Sequence, residues 1–113
     1  MRRVILETPY AGSVRKHTAY ARQCMLDCLR RGEAPLASHL LYTQVLDDQV
    51  DADRDLGIEA GLAWGTVAEA TVCYVDHGIS DGMRQGILRA QQQGRPVELR
   101  TLLTQPARGE GEA

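Results

Sequence analysis

Aromatic side chains are scarce in this chain of 113 residues: four Tyr, one Trp and no Phe, or 4% of the whole. A core without them has to be built from Leu, Val, Ile and Ala, and each ring that is present gains weight as a marker of a site. A basic surplus is also missing. Thirteen Lys and Arg stand against fifteen Asp and Glu, a formal charge of -2. The chain therefore lacks the cationic excess that displaces counterions from nucleic acid, and no nucleic-acid polymer is expected as a partner. No apolar run approaches ~18 residues, so no membrane-spanning helix is expected. The run that begins at Val4 is too short for a signal peptide. GxSxG, HExxH and CxxC are all absent, which leaves the mechanisms attached to them without support. Three cysteines, Cys24, Cys28 and Cys73, form an odd count with no secretion signal. Reduced thiols in a cytoplasm are the simplest reading.

What is there reads as one soluble domain, with 43% hydrophobic and 25% charged residues. Residues 3–7 form a short apolar run that ends in the breaker-rich Thr8-Pro9-Tyr10-Ala11-Gly12-Ser13, as a buried strand followed by a turn does. Residues 14–31 place Val14, Thr18, Ala21, Met25 and Cys28 on one face of a helix. Arg15, Lys16, Arg22, Asp27 and Arg30 would then face water. Residues 34–38 read as a second strand, and a long loop is expected from His39 to about Val50. A second helix is expected over 51–68, with Leu56, Ala60, Ala63 and Val67 sharing its apolar face. Residues 71–76 are the clearest strand, rich in β-branched and aromatic side chains. A helix over 83–93 and a strand over 96–100 follow. This alternation implies a small three-layer α/β fold, Rossmann- or flavodoxin-like, with a parallel sheet of four to five strands and helices on both faces. The domain is expected to span 1–104, with a disordered tail over 105–113.

In such sheets ligands bind beyond the carboxyl ends of the strands. The segments placed there define the candidate ligand-binding residues. The first loop offers Thr8, Pro9, Tyr10, Gly12 and Ser13; its helix start suits an anion and Tyr10 suits a ring. The plain alternative is a turn with Ser13 as N-cap. Ser38 and His39 follow the second strand. The third segment holds Asp76, Gly78, Ser80, Asp81, Gly82 and Met83, where Asp76 or Asp81 would bind sugar hydroxyls; Ser80 or Asp81 as a helix cap is the plain alternative. Asp51-x-Asp53-x-Asp55 looks like part of a calcium loop, but Leu56 and Leu62 stand where that loop needs Gly and Glu. His17, Cys24 and Cys28 share a helix face without a fourth ligand. Neither a metal nor a cofactor is expected. Gly57, Gly61 and Gly65 recur every four residues, each costing about 1 kcal/mol of helix propensity relative to Ala. Such a stripe implies close approach, to the sheet or to a second subunit. A homo-oligomer is expected, with helix 51–68 at or near its interface, because so small a sheet leaves apolar helix surface to cover.

Val4-Ile5-Leu6-Glu7-Thr8-Pro9-Tyr10 is similar to the first strand and Gly-Pro-aromatic loop of the nucleoside 2-deoxyribosyltransferase-like superfamily. Ala37-Ser38-His39, Ser80-Asp81-Gly82-Met83 and Gly94-Arg95-Pro96-Val97 resemble later segments of it, in the same order. The resemblance covers roughly residues 3–100 and is greatest to small uncharacterised phage and bacterial proteins. It implies a cytoplasmic protein of a bacterium or phage-infected host that binds a nucleoside, nucleotide or related ribosyl compound. It further implies hydrolysis or transfer at the N-glycosidic bond, by a Glu on the helix after the third strand. The matching position here is Gly86, which has no side chain. Glu7, Asp76 and Asp81 are the candidates for a migrated catalytic acid, and Arg84 could meet an anion. The alternative is a protein that binds and sequesters a nucleotide without catalysis. A third is an interaction module that self-associates through its glycine stripe.

Overall fold

The computed structural model describes residues 1–102, so the tail expected over 105–113 lies outside the described residues. Strand β1 (Arg2–Glu7) leads through helix α1 (Val14–Arg30) to β2 (Glu33–Leu36). The short helix α2 (Ser38–Leu41) and a 3-10 turn (Tyr42–Gln44) then precede helix α3 (Asp51–Gly65). The chain continues through β3 (Ala70–Tyr74), α4 (Asp81–Gln92) and β4 (Val97–Arg100). The four strands form one sheet in the order β2-β1-β3-β4, and every neighbouring pair is parallel. The expected α/β alternation is the observed one.

Period-2 alternation along β1 divides the molecule into layers. Val4 and Leu6 join Val72 and Tyr74 of β3 in a core cluster with Tyr20, Cys24 and Cys28 of α1. Ile5 and Glu7 face the other way, where Gly86 of α4 meets Glu7. Helices α1 and α4 therefore cover opposite faces. The thiols of Cys24, Cys28 and Cys73 are all buried and free, and burial pushes Cys24 and Cys73 up to about 12. They serve as small apolar packing groups.

Two helix faces differ from the sequence reading. Asp27, expected in water, is 8% exposed; it accepts from the Tyr74 hydroxyl at 2.5 Å and from Arg31 Nε at 2.9 Å. Apolar periodicity misses it because a hydrogen-bonded carboxylate can occupy a core position. On α3 the expected apolar face points outward at Leu56, which is about half exposed, and Val67, expected on the same face, lies beyond the helix end at Gly65 and is also about half exposed. The glycines turn inward instead. A Cβ at Gly57 would meet Leu46 and Tyr42, one at Gly61 would meet Ser38 at 3.2 Å, and one at Gly65 would meet Gln93 and Arg95. The stripe brings α3 close to the chain's own residues. The expected long loop contains α2, whose first turn has no side-chain cap, so no capping signal announced it.

An ion network fastens the sheet across its strands. Glu33, buried at the start of β2, takes both guanidinium nitrogens of Arg100 from β4, at 2.7 and 2.6 Å, and Arg2 of β1 at 2.8 Å. Arg2 and Arg100 also share Glu98. These guanidiniums, Arg100 foremost, hold the Glu33 carboxyl down at about 2. Its contribution is present above the ordinary carboxylate range and is lost as pH falls through about 2. Truncating Glu33→Ala leaves Arg2 and Arg100 to share Glu98 alone as their carboxylate, so we expect denaturant titration at pH 7 to show a loss of about 3 kcal/mol. A loss within ~0.5 kcal/mol would show that the network is incidental.

Candidate functional site

From β1 the chain steps to β2 on one side, then crosses to β3 on the other. Beyond the carboxyl ends of these strands lies a cleft of 810 Å³, at the topological switch point where such sheets take ligands. It runs between α3, α4 and the first loop, with Ile5, Glu7 and Leu36 of the sheet in its lining.

The first loop forms one wall. Gly12 has φ +88°, a conformation that costs an L side chain, and its carbonyl accepts from Val14 N–H at 3.0 Å. His17 Nδ1 lies 3.2 and 3.0 Å from the carbonyl oxygens of Tyr10 and Ala11. Its role is thus to pin this loop from the first turn of α1. Ser13 occupies the N-cap position without a side-chain cap bond and is outside the cleft lining.

Thr8, buried at the tip of β1, pairs its Oγ1 with His39 Nε2 at 2.6 Å. Tyr10 meets the same imidazole edge-on, with ring centroids 6.2 Å apart. Burial pushes His39 down to about 4, so the ring is neutral at physiological pH. Thr43 Oγ1 donates to the His39 carbonyl at 2.6 Å, which fixes the turn that carries it. Pro9 and Ser38 complete this side of the lining.

The third segment divides. Asp81, Gly82 and Ser80 line the cleft, whereas Asp76, Gly78, Met83 and Arg84 do not. Asp76 is committed elsewhere: it accepts from the Tyr20 hydroxyl at 2.5 Å and from Leu102 N–H at 3.0 Å. Gly78, at φ +82°, makes the turn that follows. Met83 is in the core. Ser80 Oγ accepts from Met83 N–H at 3.2 Å and so caps α4, but its hydroxyl proton is still free to donate.

Glu7 sits deepest among the candidate acids. It ends β1, opposite Cys73 in the register of β3. Its carboxylate makes no hydrogen bond among the described residues and has one open side, toward the cleft. Burial pushes it up to about 7, against the pull of Arg89 and Arg95. Both guanidiniums also line the cleft. The sequence reading did not single them out. Arg89 lies one helical turn beyond Gly86, a spacing that places the two on one face, and its guanidinium makes no hydrogen bond among the described residues. Arg95 is anchored by Thr71 Oγ1 and the Gly65 carbonyl. Among the described residues no group of His, Cys, Asp and Glu has the arrangement of a metal site. No described helix is long and apolar enough to cross a membrane.

The arrangement presents one proton-poised carboxylate, one neutral imidazole–hydroxyl pair and an aromatic edge around a single space. It can hold a polar ring and stabilise a developing positive charge. The ionisation of Glu7 has a measurable consequence without any ligand. Its folded-state value, about 7, exceeds the ordinary 4.5. Its contribution to stability is therefore full below 4.5 and is lost as pH rises through 7. We expect Glu7→Gln to be more stable than the parent at pH 8 by roughly 3 kcal/mol, with the gap closing toward pH 4.5. Thermal unfolding across that range checks it, and a pH-independent difference would contradict it.

Comparison with known proteins bears on the scaffold. A solved 2-deoxyribosyltransferase from the psychrotolerant bacterium Bacillus psychrosaccharolyticus superposes with a TM-score of 0.63 and 18% sequence identity. The match covers 88% of this chain and 72% of that one. The fold is thus nucleoside 2-deoxyribosyltransferase-like. No curated protein matches the sequence. The model of a family described as a domain of unknown function, DUF7768, matches residues 2–100, and the chain belongs to that family.

Proposed function

We propose that this protein binds a nucleoside, nucleotide or related ribosyl compound in the strand-end cleft and acts at its N-glycosidic carbon. The observation that carries the reading is the convergence of Tyr10, the Thr8–His39 pair and Glu7 on one cleft at the switch point of this fold. The likeness to a 2-deoxyribosyltransferase supports the substrate class.

In this reading Tyr10 shapes or stacks on the base. A neutral His39 favours a base edge or a hydroxyl over an anion. Ser38, Ser80 and Asp81 line the mouth, where they can hydrogen-bond the sugar. Gly12 and Thr8 let backbone and hydroxyl approach the ribose. The ligand is a small molecule and not a polymer, since the cleft is local and the chain carries no cationic excess.

Gly86 favours a second reading, in which the ligand is bound and kept intact, because the resemblance places the reacting carboxylate at that position. The product distinguishes the two: free base means turnover, unchanged ligand means sequestration. Calorimetry against a panel of ribo- and deoxyribonucleosides and their 5′-monophosphates is expected to show saturable binding of at least one. Tyr10→Ala is expected to weaken it about tenfold, near 1.4 kcal/mol. Absence of heat for every compound would overturn the reading.

A further inference from the structure

We propose that Glu7 is the catalytic carboxylate of this site, occupying the space that a side chain at position 86 would fill, so that strand β1 and not helix α4 presents the acid to the sugar. The inference rests on the ribosyl reading above and assigns its chemistry to one residue.

Three observations carry it. First, the two positions compete for one volume. A Cβ built at Gly86 would collide with the Glu7 carboxylate, whose farther oxygen lies only 2.8 Å away. Gly86 is buried in α4, where glycine is a poor helix former; here it makes room for a neighbour. Second, the carboxylate is unspent. It makes no hydrogen bond among the described residues, although buried polar groups are nearly always paired. Its open side is the cleft, so a ligand is what completes it. Third, the competing acids are placed otherwise. Asp76 is used up by Tyr20 and the Leu102 amide and lies outside the lining. Asp81 is exposed at the mouth, in the first turn of α4.

The step is a hydrolysis that balances without a further reactant. The bond between the anomeric carbon and the base nitrogen breaks, and its electron pair leaves with the base. Positive charge spreads over the anomeric carbon and the ring oxygen, beside the Glu7 carboxylate. Water adds its oxygen to that carbon, one of its protons goes to the base nitrogen, and the carboxylate emerges unchanged. The ionised form does this work. Because burial lifts Glu7 to about 7, the rate rises as pH increases from 6 to 8.

The test uses the full chain, the nucleoside and 5′-monophosphate panel, calorimetry for binding and chromatography for free base. Glu7→Gln is expected to bind within about threefold of the parent and to release base at least 100-fold more slowly. Glu7→Gly combined with Gly86→Glu is expected to recover at least tenfold over Glu7→Gly alone. A stability cycle provides a readout independent of activity: Gly86→Ala is expected to cost less in a Glu7→Ala background than in the parent. Undiminished release by Glu7→Gln, strict additivity in the cycle, or a parent that binds but never cleaves would each overturn the inference and leave the binding reading intact. A parent that binds nothing in the panel would overturn both.

Discussion

One volume beneath α4 can hold the carboxylate of Glu7 or a side chain at position 86, but not both. Much of the site follows from this exclusion. It explains a glycine in the middle of a twelve-residue helix, where Gly82 in the first turn is the other poor helix former. It also explains why an acid at the end of a central strand is tolerated without a hydrogen-bond partner among the described residues. The acid is enclosed on the sheet side and open on the cleft side, and two guanidiniums, Arg89 and Arg95, limit the cost of its charge.

The rest of the molecule keeps that acid in place. Glu7 belongs to β1, which is paired on both sides, with β2 and β3. The cross-strand network of Arg2, Glu33, Glu98 and Arg100 ties β1 to both edge strands. On the opposite face, α1 packs Tyr20, Cys24 and Cys28 against Val4, Leu6, Val72 and Tyr74. The inward glycines of α3 bring that helix close to Tyr42 and Ser38, and Gly57 and Gly61 become part of the cleft wall. Stability and site are thus drawn from the same central strand, on alternate residues of it.

Much of this was legible in the sequence. Apolar runs bounded by Thr8-Pro9-Tyr10 and Gly94-Arg95-Pro96 mark strands and turns whatever their tertiary partners, and the parallel α/β order followed. The strand-end rule placed Thr8, Tyr10, Ser38, His39 and Asp81 near one another, and they line one cleft. What could not be read depended on partners distant in sequence. Asp27 is buried because Tyr74, 47 residues away, donates to it. The glycine stripe of α3 faces inward because Tyr42 and Ser38 lie against it, and no periodicity of one helix records that. Gly86 looked like a lost carboxylate while it was considered alone; its meaning came from Glu7, 79 positions earlier, across the sheet–helix interface.

The ionisation of a single carboxyl group tests this account most directly. Carbon-detected NMR of the Glu7 side-chain carboxyl, followed against pH with and without a bound nucleoside, should show one transition near pH 7 that moves when the ligand fills the cleft. A transition at the ordinary 4.5, indifferent to ligand, would mean that the carboxylate lies in open water and has no share in the site.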